Sequence, residues 1–205
     1  MDWSKPFEEK VNLVKNRLKE LSPEEILLIY HDDADGLSSA AIVKACLTRA
    51  GYEVKLICLE KTYPMVLEKL HAGSGRVIFY CDIGSAHADW ISQYNGGRNF
   101  VVILDHHDPK PASDENVLDL NLEHHGLKGE TDFSGATICY LFARAFDAAN
   151  KDLSYLAVVG SREIPGELKG LNKAVFEEAL KEGTIAVKGR EAIAKKIEAP
   201  ISKLF

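Results

Sequence analysis

The sequence predicts an α/β protein: a parallel β-sheet of about five strands, helices on both of its faces, and a helical arm at the C-terminal end. Three observations lead there. Continuous apolar runs of strand length recur at Ile26–Tyr30, Val77–Cys81 and Val101–Leu104, and such runs belong to strands buried on both faces. Stretches with helical periodicity lie between them, and a β-α-β rhythm implies parallel strands joined by right-handed crossovers. Each run also ends in acids or imidazoles: His31-Asp32-Asp33-Ala34-Asp35-Gly36 after the first, Asp82-Ile83-Gly84-Ser85 after the second, Asp105-His106-His107-Asp108-Pro109 after the third. Ligands of open α/β sheets bind in the crevice beyond the carboxyl ends of the strands. Three strands that deliver carboxylates and imidazoles there form a converging cage of oxygen and nitrogen donors.

Composition sets the class. A chain of 205 residues, 46% hydrophobic and 27% charged, is one globular domain with room for an appendage. No apolar run reaches the length of a membrane span, and the charged N-terminus lacks the apolar core of a secretion signal, so the cytoplasm is the expected compartment. The net charge of −6 argues against a generally basic surface that grips long nucleic acid. Two divalent cations in the cage would reverse that sign locally. The four cysteines, Cys46, Cys58, Cys81 and Cys139, share no metal-type spacing and read as buried free thiols.

The elements follow in order. Pro6 to Leu21 is an amphipathic helix with Val11, Val14, Leu18 and Leu21 on one stripe, and residues 1–22 form an N-terminal helical segment. A domain over residues 23–165 holds the sheet. After the first strand, Leu37 to Ala50 reads as a helix closed by Gly51. Glu53 to Leu59 is a strand, Tyr63 to Leu70 a short helix, and Arg76 to Cys81 a strand. Ala86 to Tyr94 is helical, Phe100 to Leu104 a strand, and Val117 to Leu120 a short fifth strand. Ser134 is a plausible N-cap for a helix running to about Ala149. Asp152 to Val159 is a further helix, and the segment from Gly160 to Gly170 is irregular. Leu171 to Leu180 and Arg190 to Ile197 are helical with modest apolar faces, so residues 166–205 read as an arm or linker without a core of its own.

The chemistry starts at His31. Alternate residues of an extended segment point the same way, which would aim His31, Asp33 and Asp35 at one spot, with Gly36 allowing a sharp turn. The Ser38 and Ser39 hydroxyls, with the free N–H groups of the helix that follows, suit a phosphate oxygen. This hard donor set favours Mn²⁺ or Mg²⁺ over structural zinc; a turn role for the Asp and Gly residues is the competing reading. Asp82, directly after a buried strand, can bridge two cations or cap the following helix. His106 is an imidazole ligand, Asp105 can orient a ring, and His107 is free for proton transfer or phosphate contact. Asp132-Phe133-Ser134-Gly135 offers one more carboxylate ahead of a helix, where Asp132 or Ser134 could instead act as the cap. Arg162 and Lys169 read as solvated, although either could reach a phosphate. His71 and His87 read as surface helix residues, His124-His125 as a solvated pair, and Trp3 and Trp90 form no stacking platform for single strands.

The ordered set H-x-D-x-D-G, D after a strand, D-H-H and D-x-S-G resembles the four signature motifs of the DHH phosphoesterase superfamily, over roughly residues 24 to 160. That superfamily includes RecJ-type exonucleases, nano-RNases, cyclic-dinucleotide phosphodiesterases and family II pyrophosphatases. The resemblance implies a DHH-type fold with two Mn²⁺ ions (Mg²⁺ as the alternative). One would be held by His31, Asp33 and Asp82, the other by Asp35, Asp82, His106 and Asp132. His107 would contact the scissile phosphate or act as general acid, with Asp105 beside it; Ser38 and Ser39 remain substrate contacts on the reading of the helix start alone. The implied substrate is single-stranded or short nucleic acid, or a nucleotide. Two departures matter. His31 stands where the exonuclease branch has Asp, while the pyrophosphatase branch spaces its His further from the first Asp. The Gly-rich motif ending in His, carried by the family's C-terminal substrate-binding domain, is absent, so residues 166–205 read as the connector to such a domain. The competing functions are a non-catalytic DHH scaffold in a replication or repair complex, a pyrophosphatase-like hydrolase and a plain metal-binding module. A homodimer or a replication partner is the expected association.

Overall fold

The computed structural model describes residues 3–187 and centres on a five-stranded sheet of order β2-β1-β3-β4-β5. Its strands are β1 (Ile26–His31), β2 (Val54–Leu59), β3 (Val77–Cys81), β4 (Phe100–Leu104) and β5 (Val117–Asp119). Every pairing is parallel. The order runs outward from β1 in one direction and from β3 in the other, so the topological switch point lies between them, where an open sheet leaves its crevice. Every residue of β3 and β4 is buried, as their unbroken apolar runs require. The edge strand β2 is half exposed, and it carries Cys58 to the surface; Cys46, Cys81 and Cys139 are buried as expected.

Helices cover both faces. The helices are α1 (Ser4–Leu21), α2 (Ala34–Arg49), α3 (Pro64–His71), α4 (Ala88–Asn95), α5 (Gly135–Phe146), α6 (Ser154–Gly160) and α7 (Gly170–Lys181). Alternate strand residues sort into two cores. Leu28, Phe79 and Val102 pack with α1, α2 and α5, while Ile29, Ile78 and Ile103 pack with Leu67 of α3 and Ile91 of α4. On α1 the buried stripe is Phe7, Val11, Val14 and Leu18, shifted one turn from expectation because Leu21 stays exposed. Helix α5 stops at Phe146, three residues early, and a 3-10 turn over Ala148–Leu153 follows. The arm is no free extension where it is described: α7 buries Val175 and Ala179, and Val175 belongs to the larger core. The helix expected over Arg190–Ile197 lies outside the described residues. Among the described residues, no helix is long and apolar enough to cross a membrane.

The start of α2 departs from expectation in a way that shapes the site. Asp33 is its N-cap, and the Asp33 carboxylate accepts from Gly36 N–H at 2.8 Å. Asp35 and Gly36 therefore sit in the first helical turn, three residues ahead of the expected boundary. Gly36 is needed for close approach and not for a turn: a Cβ there would stand 2.2 Å from the His31 carbonyl oxygen. Replacing glycine by alanine inside a helix ordinarily gains about 1 kcal/mol. Here overpacking against fixed backbone costs about 1–3 kcal/mol or more, so Gly36→Ala is expected to be net destabilising. Urea unfolding should show a lower midpoint at unchanged m-value, and a higher midpoint would contradict this packing.

Candidate metal centre

The ends of β1, β3 and β4 and the first turns of α2 and α5 meet at the switch point. Two groups of donors have their ligand atoms within 4.8 Å of one another: Asp82, Asp105, His106 and His107 in one, His31, Asp33 and Asp82 in the other. Asp82 belongs to both.

Asp82 follows β3 directly. It is 1% exposed, and its backbone stands in the left-handed region at φ 60°. Asp tolerates that conformation better than most residues, but a strained residue at a strand end persists only where the surroundings enforce it. Its N–H donates to the Leu104 carbonyl at 2.8 Å. Its Oδ1 has no hydrogen bond, although His106 Nε2 stands 3.3 Å away as an ion-pair contact. Burial raises the Asp82 pKa well above the carboxylate range, nearby Asp35 and Asp105 add to the rise, and His106 opposes it. Room for this carboxylate comes from Gly135, where a Cβ would lie 2.1 Å from Asp82 Oδ1.

His106 Nδ1 donates to the Gly129 carbonyl at 2.8 Å, which turns Nε2 toward Asp82. Burial alone would lower the His106 pKa; the surrounding Asp82, Asp105 and Asp35 carboxylates outweigh it and lift the value to about 10. The cluster thus demands positive charge at this nitrogen. Asp105 is fully buried and accepts from Ser85 N–H at 2.8 Å, His106 N–H at 2.7 Å and His107 Nδ1 at 2.7 Å. Burial pushes its pKa up, but His107, His106 and the Ser85 N–H together hold it below the ordinary value. The His107 ring is 43% exposed, and the bond to Asp105 raises its pKa in spite of partial burial. On the other side, His31 Nδ1 and Asp33 Oδ2 are 2.5 Å apart, and His31 Nδ1 lies 3.9 Å from Asp82 Oδ2.

Not every expected residue joins. Asp35 Oδ1 accepts from Ser134 Oγ and Ala136 N–H, and Oδ2 from Gly135 N–H. The carboxylate clamps the positive N-terminus of α5, with Oδ2 still 3.9 Å from His106 Nε2. Asp132 is in neither donor group: its Oδ2 accepts from Lys128 N–H at 3.0 Å, and the start of α7 holds its carbonyl. Ser134 is the α5 cap, accepting from Thr137 N–H, so the open choice between these two residues falls to the serine. Ser38 and Ser39 are 6% and 0% exposed within α2, so neither hydroxyl faces an incoming phosphate. Arg162 and Lys169 are exposed.

Other residues, which no sequence motif marks, also line the site. Glu130 and Glu163 line a cavity of about 170 Å³ with Asp33, Asp35, Asp82 and His106. Glu163 arrives there because Gly160 lets α6 close on Asp35: a Cβ at Gly160 would be 2.5 Å from Asp35 Oδ1. Asn121 Nδ2 donates to the His107 carbonyl at 2.7 Å. The expected solvated His124 instead pairs with Asp119 Oδ2 at 3.0 Å, and Asp119 Oδ1 accepts from Ser85 Oγ. His71 is fully buried between Asn95 and Tyr80. His87 is half-buried against Thr62.

These residues fit a divalent cation. An unpartnered oxygen on a buried carboxylate is costly, an imidazole whose pKa is pulled up to about 10 marks the same spot, and the mostly carboxylate donors suit Mn²⁺ or Mg²⁺, while the imidazoles also suit other transition metals.

The family model described as the DHH family, N-terminal domain, matches residues 25–160. The chain belongs to the DHH family. It is 34% identical over 165 residues to the uncharacterized protein MJ0831 of Methanocaldococcus jannaschii, with 75% of this chain and 36% of that protein covered. Its fold is similar to that of an exonuclease RecJ bound to manganese, with TM-score 0.68 and 20% identity over 85% of this chain and 47% of that one. It is also similar to CDC45 from Entamoeba histolytica, with TM-score 0.62 and 16% identity over 90% of this chain and 38% of that one. The DHH chain described here thus spans less than half the length of each.

Cation binding at His106 must displace a proton, because the group is protonated below a pKa of about 10. The sign follows: Mn²⁺ affinity rises with pH. With one proton released per ion, Kd should fall about ten-fold per unit between about pH 6 and 8, measured by competition with a chelator of known pH dependence. A flat profile would remove His106 from the ligand set.

Proposed function

We propose that this DHH-family chain is a two-metal phosphoesterase that hydrolyses phosphodiester bonds of single-stranded or short nucleic acid or of nucleotides. The observation that carries the reading is Asp82, buried, short of a hydrogen-bond partner and common to both donor groups. His31, Asp33 and Asp82 would hold one cation, and Asp82 and His106 the second, with Asp105 in the same donor group and Asp35 and Glu163 lining the cavity beside it. Mn²⁺ is the proposed ion, in line with the manganese-bound exonuclease of similar fold, and Mg²⁺ is the alternative. When bound, such a pair lowers the pKa of an attacking water and neutralises charge on the phosphoryl oxygens.

The chain's own residues do the rest. The bond to Asp105 raises the His107 pKa and so favours its protonated form, and its exposed ring can donate a proton to the leaving oxygen. Asp105 is a positioning residue: it stays ionised, takes the His107 Nδ1–H and so fixes which ring nitrogen faces outward. Asp132, Ser38 and Ser39 have no part in this scheme. A second reading, a non-catalytic scaffold in a replication or repair complex, draws on the CDC45 likeness. The two donor groups that share Asp82 favour catalysis, since a scaffold has no use for a strained, buried Asp82.

A Mn²⁺-supplemented panel of short RNA, single-stranded DNA, cyclic dinucleotides and pyrophosphate tests the proposal. Asp82→Ala and His106→Ala should abolish hydrolysis with the circular dichroism spectrum unchanged. His107→Ala should cut kcat by about 10²–10⁴ and leave Mn²⁺ binding intact. Asp105→Asn should move the alkaline limb of the kcat profile to lower pH, since it removes the charge that raises His107. Full turnover in the Asp82 or His106 variant refutes the assignment, and bound metal without turnover on any substrate gives the scaffold reading.

A further inference from the structure

The cluster has a second cavity on its other side. It measures about 210 Å³ and opens between the loop after β2 and the turn after β3. His31, Asp82, Asp105 and His107 form its inner wall, and Thr62, Ile83, Gly84, Ala86 and His87 the outer one. The contrast with the cavity toward α5 and α6 is chemical. That one adds Asp33, Asp35, Glu130 and Glu163 to the cluster, a setting for cations, whereas most of the surface here is carbon. Lys61 at the mouth stands 3.9 Å from Glu60, so the rim has little net charge with which to hold a free anion.

His87 is built into this wall. Its Nδ1 pairs with Thr62 Oγ1 at 2.7 Å, and Thr62 is 3% exposed. Its ring lies on Trp90, with centroids 4.7 Å apart and planes 30° apart. Two contacts fix the imidazole, and Nε2 makes no hydrogen bond among the described residues.

We propose that this cavity binds the nucleobase attached to the phosphate ester at the cluster. A base matches the walls: its faces are apolar, for Ile83, Gly84 and Ala86, and its edge is polar, for His87 Nε2. Size agrees, since pockets for drug-sized ligands run to roughly 300–1,000 Å³ and about 210 Å³ admits a single base. Inorganic pyrophosphate has no carbon to bury, so these walls select a nucleotide ester over it. The inference rests on the phosphoesterase reading for its substrate, but it can be tested without turnover.

Trp90 is the reporter. In a Trp3→Phe background with Mg²⁺ present, AMP should change Trp90 emission saturably, and inorganic phosphate should not. His87→Ala, and Ala86→Leu, which fills the cavity, should each raise the AMP Kd at least about ten-fold, a loss of about 1.4 kcal/mol. An equal response to phosphate, or an unchanged Kd in both variants, overturns the proposal. Phosphoester turnover by the unaltered chain is measured alongside. Binding of AMP without turnover removes the hydrolase reading and leaves the pocket standing; turnover without a Trp90 response removes the pocket alone.

Discussion

One buried carboxyl group organises this molecule. Asp82 sits at the carboxyl end of the central strand, 1% exposed and in a backbone conformation that most side chains avoid. An isolated carboxylate in such a place costs several kcal/mol, comparable to the whole stability of many domains. The surroundings reduce that cost from several directions. His106 is aimed at it by the Gly129 carbonyl, His31 approaches from β1, and Gly135 leaves the space that a side chain would take. Natural sequences keep such conflicts between local cost and fold where function needs them.

The same logic explains how α2 and α5 are joined. Both helices begin at the crevice, and both N-termini point positive ends toward it. Asp33 caps α2, while Asp35, in the next turn, reaches across to three donors at the start of α5. Asp35 is thus a clamp between helices as much as a member of the acid cluster. Gly36 and Gly160 permit the approach, the first against β1 and the second against Asp35 itself.

Much of this was legible in the sequence. The unbroken runs of β1, β3 and β4 marked buried parallel strands, and the acids and imidazoles at their ends marked the crevice, because strand direction and burial are local properties. The misreadings arose where distance along the chain mattered. The sequence hides the α2 boundary because Asp33-Ala34-Asp35-Gly36 looks like a turn, and the cap bond to Gly36 makes it helix. The D-x-S-G motif marks Asp132 as a ligand only through the family resemblance, and in the structure its carboxylate accepts from its own loop at Lys128 N–H. Glu163 comes from an irregular segment with no periodic signal, and it reaches the site only through packing of α6 on α2. His71 read as a surface residue because its partners, Asn95 and Tyr80, belong to other elements.

His107 is the point at which these constraints become directional. It lines both the acidic cavity and the carbon-walled one, so it stands between two chemically different sides of the cluster. Its orientation is set from behind: Asp105 holds Nδ1, Ser85 N–H holds Asp105, and Ser85 Oγ rests on Asp119, which His124 pairs in turn. Asn121 fixes the backbone of His107 from the same loop. A chain of bonds from β4 through the turn after β3 to the end of β5 therefore fixes one imidazole. Side chains held in this way need no rearrangement when charge develops beside them, which is how a fixed polar site lowers a barrier. Strand β5, the shortest of the five, reaches this chain of bonds through Asp119, and that contact gives the far edge of the sheet a share in orienting the group that faces both cavities.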